Sequence, residues 1–251
     1  MTAQLTPLYD EAQAYAMGLQ RVITRAGVYS PRSAQVNIGP SEVGHECTRY
    51  LAYKMLDWDA PNKQSSGSWP AQIGTAVHAY LEKVFGQVPG AMTEIRVQVR
   101  AGLAGTVDLY DKEEGGITDW KTAGSTSLKR YKKEGGTRRQ WIQQDLYGLG
   151  IWNLQSPEWP INWVALAIIP TAGAISDMHY MRKPWDMQNA LDALARIDTI
   201  QTVLSVLDVE ANPAMWEQIP ASPDSNCGWC PYYKPFSTDP SLGCAGDSVR
   251  T

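Results

Sequence analysis

Nothing in the 251 residues approaches the ~18 uninterrupted apolar residues of a membrane-spanning helix. The first thirty residues also lack a signal-peptide pattern. The expectation is a soluble, cytoplasmic protein with no membrane partner. Charge of one sign is missing too. Twenty-two Lys and Arg against 26 Asp and Glu leave a net charge of −4, which excludes a general electrostatic attraction to nucleic acid. There is no Walker A pattern, so the chain carries no helicase motor of its own, and there is no internal repeat or low-complexity tract. Phenylalanine is almost absent, at two residues, and ten Trp and twelve Tyr supply the rings instead. Most of these belong in a core, although their flat faces also suit base stacking. With 43% hydrophobic and 19% charged residues, wholesale disorder is excluded. One large domain, or one domain with an attachment, is expected.

Cysteine is scarce: Cys47, Cys227, Cys230 and Cys244. Four cysteines would suggest two disulfides in a small secreted domain, but this chain is neither small nor visibly exported. Cys227-x-x-Cys230 with one later and one distant cysteine points to a metal site instead. The weak net charge also hides an uneven distribution. Lys129, Arg130, Lys132, Lys133, Arg138 and Arg139 face one acid, Glu134, so this stretch is +5 and the remainder −9. It is either a local nucleic-acid-binding patch or a solvated loop and helix start.

Periodicity gives the element order. Residues 7–26 have helical spacing, and a Pro, Ser and Gly-rich loop follows to Pro40. Ser41-Glu42 reads as the N-cap of a second helix that turns Cys47, Tyr50, Leu51 and Met55 inward. After a polar loop over 58–70, a third helix runs from Ala71 to Phe85 with Ile73, Val77, Tyr80, Leu81 and Val84 as its apolar stripe. Residues 93–100 alternate strictly, so they predict a half-buried strand. Strands follow at 104–110 and 117–121, then a helix over 137–153. Residues 161–169 form an apolar run of the kind buried on both faces. An edge strand over 175–181 and a helix over 185–207 precede a tail rich in Pro, Cys and aromatics. The fold class is α/β.

Four signals fall within 70 residues: Gly74-Thr75-x-x-His78, Gly105-x-x-Asp108, Asp119-x-Lys121 and Gln143-x-x-x-Tyr147. Asp119 and Lys121 are two apart on a strand and leave the same face. A hairpin turning at Glu113-Glu114 sets Asp108 opposite Asp119, with the glycines at 115–116 free to shift this by one residue. Two carboxylates and a histidine make a hard divalent-cation site. A lysine beside it can orient or deprotonate a water and neutralise charge on a phosphate. Gln143 and Tyr147 share a helix face and could brace the lysine. Alone, each piece has a dull explanation: surface charge, a helix-face histidine, a solvated hairpin, a core tyrosine.

Taken in order, the set resembles the PD-(D/E)XK superfamily, in its RecB-like branch of CRISPR-associated and bacteriophage exonucleases with an iron–sulfur cluster. The likeness runs from Ser41-x₅-Cys47-x-Arg49 to the C-terminal cysteines. It implies a restriction-endonuclease-like core, a mixed central sheet flanked by helices, over 69–210. A helical segment over 1–68 would precede this core and a cysteine-bearing segment over 211–251 would follow, all in one compact unit. It further implies that His78, Asp108 and Asp119 bind Mg²⁺ or Mn²⁺, that Lys121 is catalytic, and that Gln143 and Tyr147 support DNA binding. Cys47, Cys227, Cys230 and Cys244 would hold a 4Fe–4S cluster. The thirteen residues between Cys230 and Cys244 exceed the family's spacing, so zinc and unligated thiols stay open, and His45 is a further candidate ligand. The function implied is a metal-dependent exonuclease acting on DNA ends, with single strands preferred, in recombination, replication or repair. A non-catalytic or complex-embedded DNA-binding module of the same fold is the alternative.

Overall fold

The computed structural model describes residues 5–28, 38–62, 69–154, 158–222 and 227–246. Parts of the two early loops therefore lie outside the described residues. The elements in order are α1 (Leu5–Val28), α2 (Pro40–Val43), α3 (Thr48–Met55), α4 (Trp69–Phe85), β1 (Ala91–Arg100), β2 (Leu103–Asp111) and β3 (Gly116–Ala123). They continue with α5 (Ser125–Glu134), α6 (Arg138–Trp152), β4 (Trp163–Pro170), β5 (His179–Pro184) and α7 (Met187–Leu207). The strands form one sheet in the order β1-β2-β3-β4-β5. All neighbouring pairs are antiparallel except β3 and β4, which are parallel. The expected α/β class and mixed sheet flanked by helices are what the chain forms. No helix among the described residues is long and apolar enough to cross a membrane.

Helices cover both faces of the sheet. On one face, Val77, Leu81 and Phe85 of α4 pack against Leu109, Trp120, Ala167 and Ile169. On the other, Tyr147 and Ile151 of α6 pack against Val97, Val107, Ile117 and Val164. A further core cluster runs from Val43 and Leu51 through α6 and α7 to Trp216, Tyr232 and Cys244. This third cluster absorbs much of the aromatic excess: Tyr53 stacks on Tyr232 at 4.7 Å and meets Trp58 and Trp216 edge-on. Arg49, itself buried, donates to the carbonyls of Ile219 (2.6 Å) and Gly246 (3.1 Å). The first and last parts of the chain are thereby joined by rings and by charge-assisted hydrogen bonds.

Several local expectations are corrected. The second helix is two helices. Gly39, not Ser41, caps α2, and the chain breaks at Gly44, whose Cα approaches α6 so closely that a Cβ would lie 2.8 Å from the Arg139 Cα. Cys47 consequently sits at the N-cap of α3 and not inside a helix. The basic stretch is no solvated loop. Lys129, Arg130, Lys132 and Lys133 ride on α5, which buries Leu128 and ends at Gly135. The apolar stripe of α4 is rotated: Tyr80 and Val84 are exposed, and Phe85 takes the buried place by stacking on Trp120. The edge strand begins at His179, because 175–177 form a 3₁₀ turn.

The parallel pair is held close by a glycine. A Cβ at Gly116 would stand 2.0 Å from the Trp163 ring across the β3–β4 ladder, so only glycine lets the indole lie there. Gly116→Ala is expected to cost about 1–3 kcal/mol through overpacking. Its urea midpoint should fall accordingly, and a midpoint equal to wild type would show that the Trp163 ring moves aside without penalty.

Candidate active site

The sequence-predicted residues converge where α4, α6 and the β2–β3 hairpin meet. The hairpin ladder runs Asp111↔Gly116, Tyr110↔Ile117 and Leu109↔Thr118. Continued by one step, this register sets Asp108 opposite Asp119, without the one-residue shift that Gly115-Gly116 allowed. Here the ladder gives way to a side chain: Asp108 Oδ2 accepts the Trp120 N–H at 2.9 Å. Asp108 and Asp119 are both buried.

Asp119 and Lys121 leave one face of β3 and meet α6. The Lys121 ammonium lies 2.7 Å from Asp119 Oδ2 and donates to Gln143 Oε1 at 3.3 Å. The Gln143 amide in turn donates to Asp119 Oδ1 (3.2 Å) and to Tyr147 Oη (3.0 Å). A full turn of helix thus separates two residues that act as one brace. α6 starts there because Thr137 and Gln140 form a reciprocal capping box. Burial pushes the Asp119 carboxyl above the usual carboxylate range; the Lys121 ammonium opposes this, and Asp108 adds to the rise. The motif glycine Gly105 has a steric reason. A Cβ there would come within 2.7 Å of the Tyr147 ring and 2.9 Å of Pro40.

His78 approaches from α4. Its Nε2 lies 3.0 Å from the Trp120 carbonyl, which can only accept, so this nitrogen carries a proton. Its Nδ1 faces Asp108 Oδ1 at 3.4 Å. Glu94 completes the group, and sequence reading passed over it as a solvent-facing strand residue. Ligand atoms of His78, Glu94 and Asp108 all lie within 4.8 Å of one another. Two carboxylates and an imidazole are donors of the kind that hard divalent cations such as Mg²⁺ or Mn²⁺ take. The set differs from the expected His78, Asp108 and Asp119, because Asp119 is turned toward Lys121 and Gln143.

Glu94 also has an unusual backbone. Its φ is +51°, a conformation that L-residues other than Asn and Asp seldom adopt. It stands opposite Asp108 in the β1–β2 register, where the ladder is interrupted between Thr93↔Leu109 and Ile95↔Val107; a second irregularity lies between Gln98 and Arg100. The alternation of faces breaks there in both strands. Met92 and Ile95, and likewise Val107 and Tyr110, share one cluster although three residues apart. The sequence alternates strictly along 93–100, but the faces of the folded strand do not, and no local pattern in the sequence marks Glu94. Such strain persists where the surroundings impose it, and it concentrates at functional sites.

Of the candidate site residues, Lys121 and Gln143 share a cavity of about 660 Å³ with the four cysteines, Cys47, Cys227, Cys230 and Cys244; His78, Glu94, Asp108 and Asp119 are not in its lining. Burial, and after it the neighbouring thiols of Cys244, Cys47 and Cys227, push the Cys230 thiol up to about 11. His45, the further candidate ligand, lines the same cavity as the thiols. Its Nδ1 accepts the Cys47 N–H (3.1 Å) and its ring stacks on Tyr50 at 3.7 Å. Burial lowers its pKa to about 4, with help from Arg139. Arg196 of α7 clamps this turn through the His45 and Glu46 carbonyls. Of the basic residues, Arg130 and Arg139 line the cavity. Lys129, Lys132, Lys133 and Arg138 are exposed outside it.

The strain at Glu94 yields a paired prediction. Glu94→Ala and Glu94→Gly both remove the carboxylate, and both should bind Mn²⁺ about tenfold more weakly than wild type in isothermal titration. The glycine variant should be the more stable of the two by about 1 kcal/mol, since alanine must still hold a positive φ. Equal urea midpoints would remove the strain argument, and unchanged Mn²⁺ affinity would remove Glu94 from the site.

Comparison with known proteins agrees with this architecture. No curated protein matches the sequence. Among solved structures, the alkaline exonuclease LHK-Exo of Laribacter hongkongensis superposes with a TM-score of 0.50 at 11% identity, covering 75% of this chain and 97% of its own. Its complex with dAMP gives 0.50 at 12% identity, covering 74% and 95%. The protein SSO0001 gives 0.51 at 15% identity, covering 85% and 94%. At such identities these likenesses establish the fold. The family model of the PD-(D/E)XK nuclease superfamily matches residues 87–234, a span that holds Asp108, the Asp119-x-Lys121 strand and the α6 brace, and the chain belongs to that superfamily.

Proposed function

We propose that the protein is a divalent-metal-dependent exonuclease that hydrolyses phosphodiester bonds from the ends of DNA, with single strands preferred. The observation that carries this reading is the Lys121 ammonium, which lines a cavity and is held between buried Asp119 and Gln143, with Asp119 interacting in turn with Asp108 and His78 of the candidate metal group. The exonuclease among its structural relatives, LHK-Exo, which has also been solved with dAMP, supports DNA as the substrate.

His78, Glu94 and Asp108, with Asp119 adjoining, would hold Mg²⁺ or Mn²⁺, which when bound supplies Lewis acidity and a water of lowered pKa. Lys121 is positioned to donate to a phosphate oxygen and to neutralise charge that develops there. Gln143 keeps this ammonium from swinging into solvent, because its amide bonds lysine and carboxylate together. Tyr147 fixes the amide's orientation in turn. His78 holds the backbone between Asp119 and Lys121 through the Trp120 carbonyl, so the two side chains keep their spacing.

The four cysteines hold a 4Fe–4S cluster in this reading. All four line one cavity, and thiolate-only ligation suits such a cluster. Its role is to clamp the ends of the chain, since about 180 residues separate Cys47 from Cys227 and closing so long a loop restricts the unfolded chain.

Lys121→Met should retain DNA binding while losing activity by about 100-fold or more, and Asp119→Ala should abolish hydrolysis in a folded protein. Near-wild-type turnover by either variant would remove the assigned site. Linear single strands should be degraded and closed circles spared; rapid nicking of circles would make the protein an endonuclease. Anaerobically prepared protein should contain iron, and Cys230→Ala should be colourless and protease-sensitive. About one zinc and no iron would replace the cluster with zinc and leave the clamp intact.

A further inference from the structure

The cavity that joins Lys121 to the cysteines carries a surplus of positive charge and of rings that the chemistry above does not use. Arg130 and Arg139 line it, and neither enters an ion pair among the described residues. Arg139 lies in the first turn of α6, where the helix dipole disfavours a cation, so it gains nothing locally from being there. Its Nε donates to the Ser41 carbonyl at 2.6 Å, which fixes the guanidinium at the cavity wall. Tyr131 is held by Gln140, whose amide donates to its hydroxyl at 2.7 Å, and the Arg130 guanidinium lies 5.6 Å from its ring centroid.

The remaining feature is Trp229, which lines the same cavity and is 78% exposed. An indole so open to water is not serving a core, and the chain has packed most of its other large rings. Its backbone is nevertheless constrained. Trp229 is one of the two residues inside the Cys227-x-x-Cys230 turn, which closes by the Cys230 N–H donating to the Cys227 carbonyl at 2.9 Å. A flat ring on a fixed turn, two arginines and a lysine on one wall: this is the composition of a single-strand site, where phosphates meet cations and unstacked bases meet aromatic faces.

Resting on the nuclease reading above, we propose that Trp229 is a stacking platform for an unpaired base of the substrate strand, with Arg130 and Arg139 holding the flanking phosphates and directing that strand to Lys121. The platform selects against duplex, whose base faces are already covered by their neighbours. The C-terminal cysteine segment thereby has a substrate-binding role besides clamping the chain.

The test reads binding, not cleavage. Full-length protein is titrated, with Ca²⁺ in place of Mg²⁺, against an end-labelled oligothymidylate of about twelve nucleotides and against a blunt duplex of the same length, followed by fluorescence anisotropy. Trp229→Ala should weaken single-strand binding about tenfold and lower the ratio of single-strand to duplex affinity. Trp229→Phe should recover most of both. An oligonucleotide carrying 5-iodouracil should crosslink on irradiation to the peptide that contains Trp229. Unchanged single-strand affinity in Trp229→Ala, or crosslinks confined to peptides outside the cavity, would overturn the proposal. Cleavage of the same oligonucleotide by wild-type protein with Mn²⁺ tests the nuclease reading on its own. Trp229-dependent binding without cleavage sinks that reading and supports the subsite, whereas cleavage with Trp229-independent binding sinks the subsite alone.

Discussion

Two parallel strands cannot be joined by a tight turn, and the arrangement of this protein follows from that constraint. β3 and β4 are neighbours and parallel, so the chain must leave the sheet after Ala123 and travel its length before returning at Trp163. α5 and α6 are that crossover. Because α6 covers the face from which Asp119 and Lys121 project, Gln143 reaches both of these residues, more than twenty positions earlier in the chain, and Tyr147 accepts from the Gln143 amide. Because α5 starts at Ser125, just beyond the strand's carboxyl end, it carries four basic residues, of which Arg130 lines the cavity that Lys121 also lines. One topological requirement therefore supplies both the brace for the lysine and the local reversal of an acidic protein's charge.

Burying Asp119 has a price in desolvation, and its neighbours are arranged around it. A lone buried carboxylate would simply take up a proton. The Lys121 ammonium at 2.7 Å and the Gln143 amide at 3.2 Å counter this tendency. The interaction is mutual: the carboxylate also holds the lysine, whose long side chain otherwise has considerable rotamer freedom. On the opposite side of the hairpin, strain plays the organising part. Glu94 keeps a left-handed backbone opposite Asp108, and both strands lose their alternation at that level. The sheet is thus irregular at the level where the carboxylates gather and regular elsewhere along the β1–β2 pair as far as Gln98.

Much of this was legible in the sequence because it is written in local periodicity. The parity of Asp119 and Lys121, the pairing of Asp108 with Asp119 from the hairpin's midpoint and the four-residue spacing of Gln143 and Tyr147 each need only strand or helix geometry. What was not legible depends on contacts between distant segments. Gly44 breaks the second helix because Arg139, almost a hundred residues on, packs against it. Tyr80 and Val84 look apolar at helical spacing, yet α4 turns Phe85 onto Trp120 and points His78 at the Trp120 carbonyl. Glu94 was hidden by its own pattern. It falls on the polar side of a strictly alternating strand, and nothing local announces that its φ is positive. The basic run was ambiguous between loop and helix until Leu128 found a hydrophobic partner in β4.

The position of the cysteine segment links stability to recognition. Arg49 grips the Ile219 and Gly246 carbonyls from α3, Tyr53 donates to the Pro240 carbonyl, and Asn62 donates to those of Pro231 and Cys230. These bonds seat a stretch of chain whose described residues form only short 3₁₀ turns and a single bridge between Tyr233 and Cys244. Irregular backbone of this kind cannot satisfy itself, so it takes its donors from α3 and the loop after it. The consequence is geometric. These hydrogen bonds are themselves a clamp: they hold the segment whose Cys227, Trp229, Cys230 and Cys244 line the same cavity as Arg130, Arg139 and Lys121. A clamp placed remote from the site could stabilise the fold equally well. One placed here holds the ends of the chain and the cavity wall facing Lys121 with the same set of contacts.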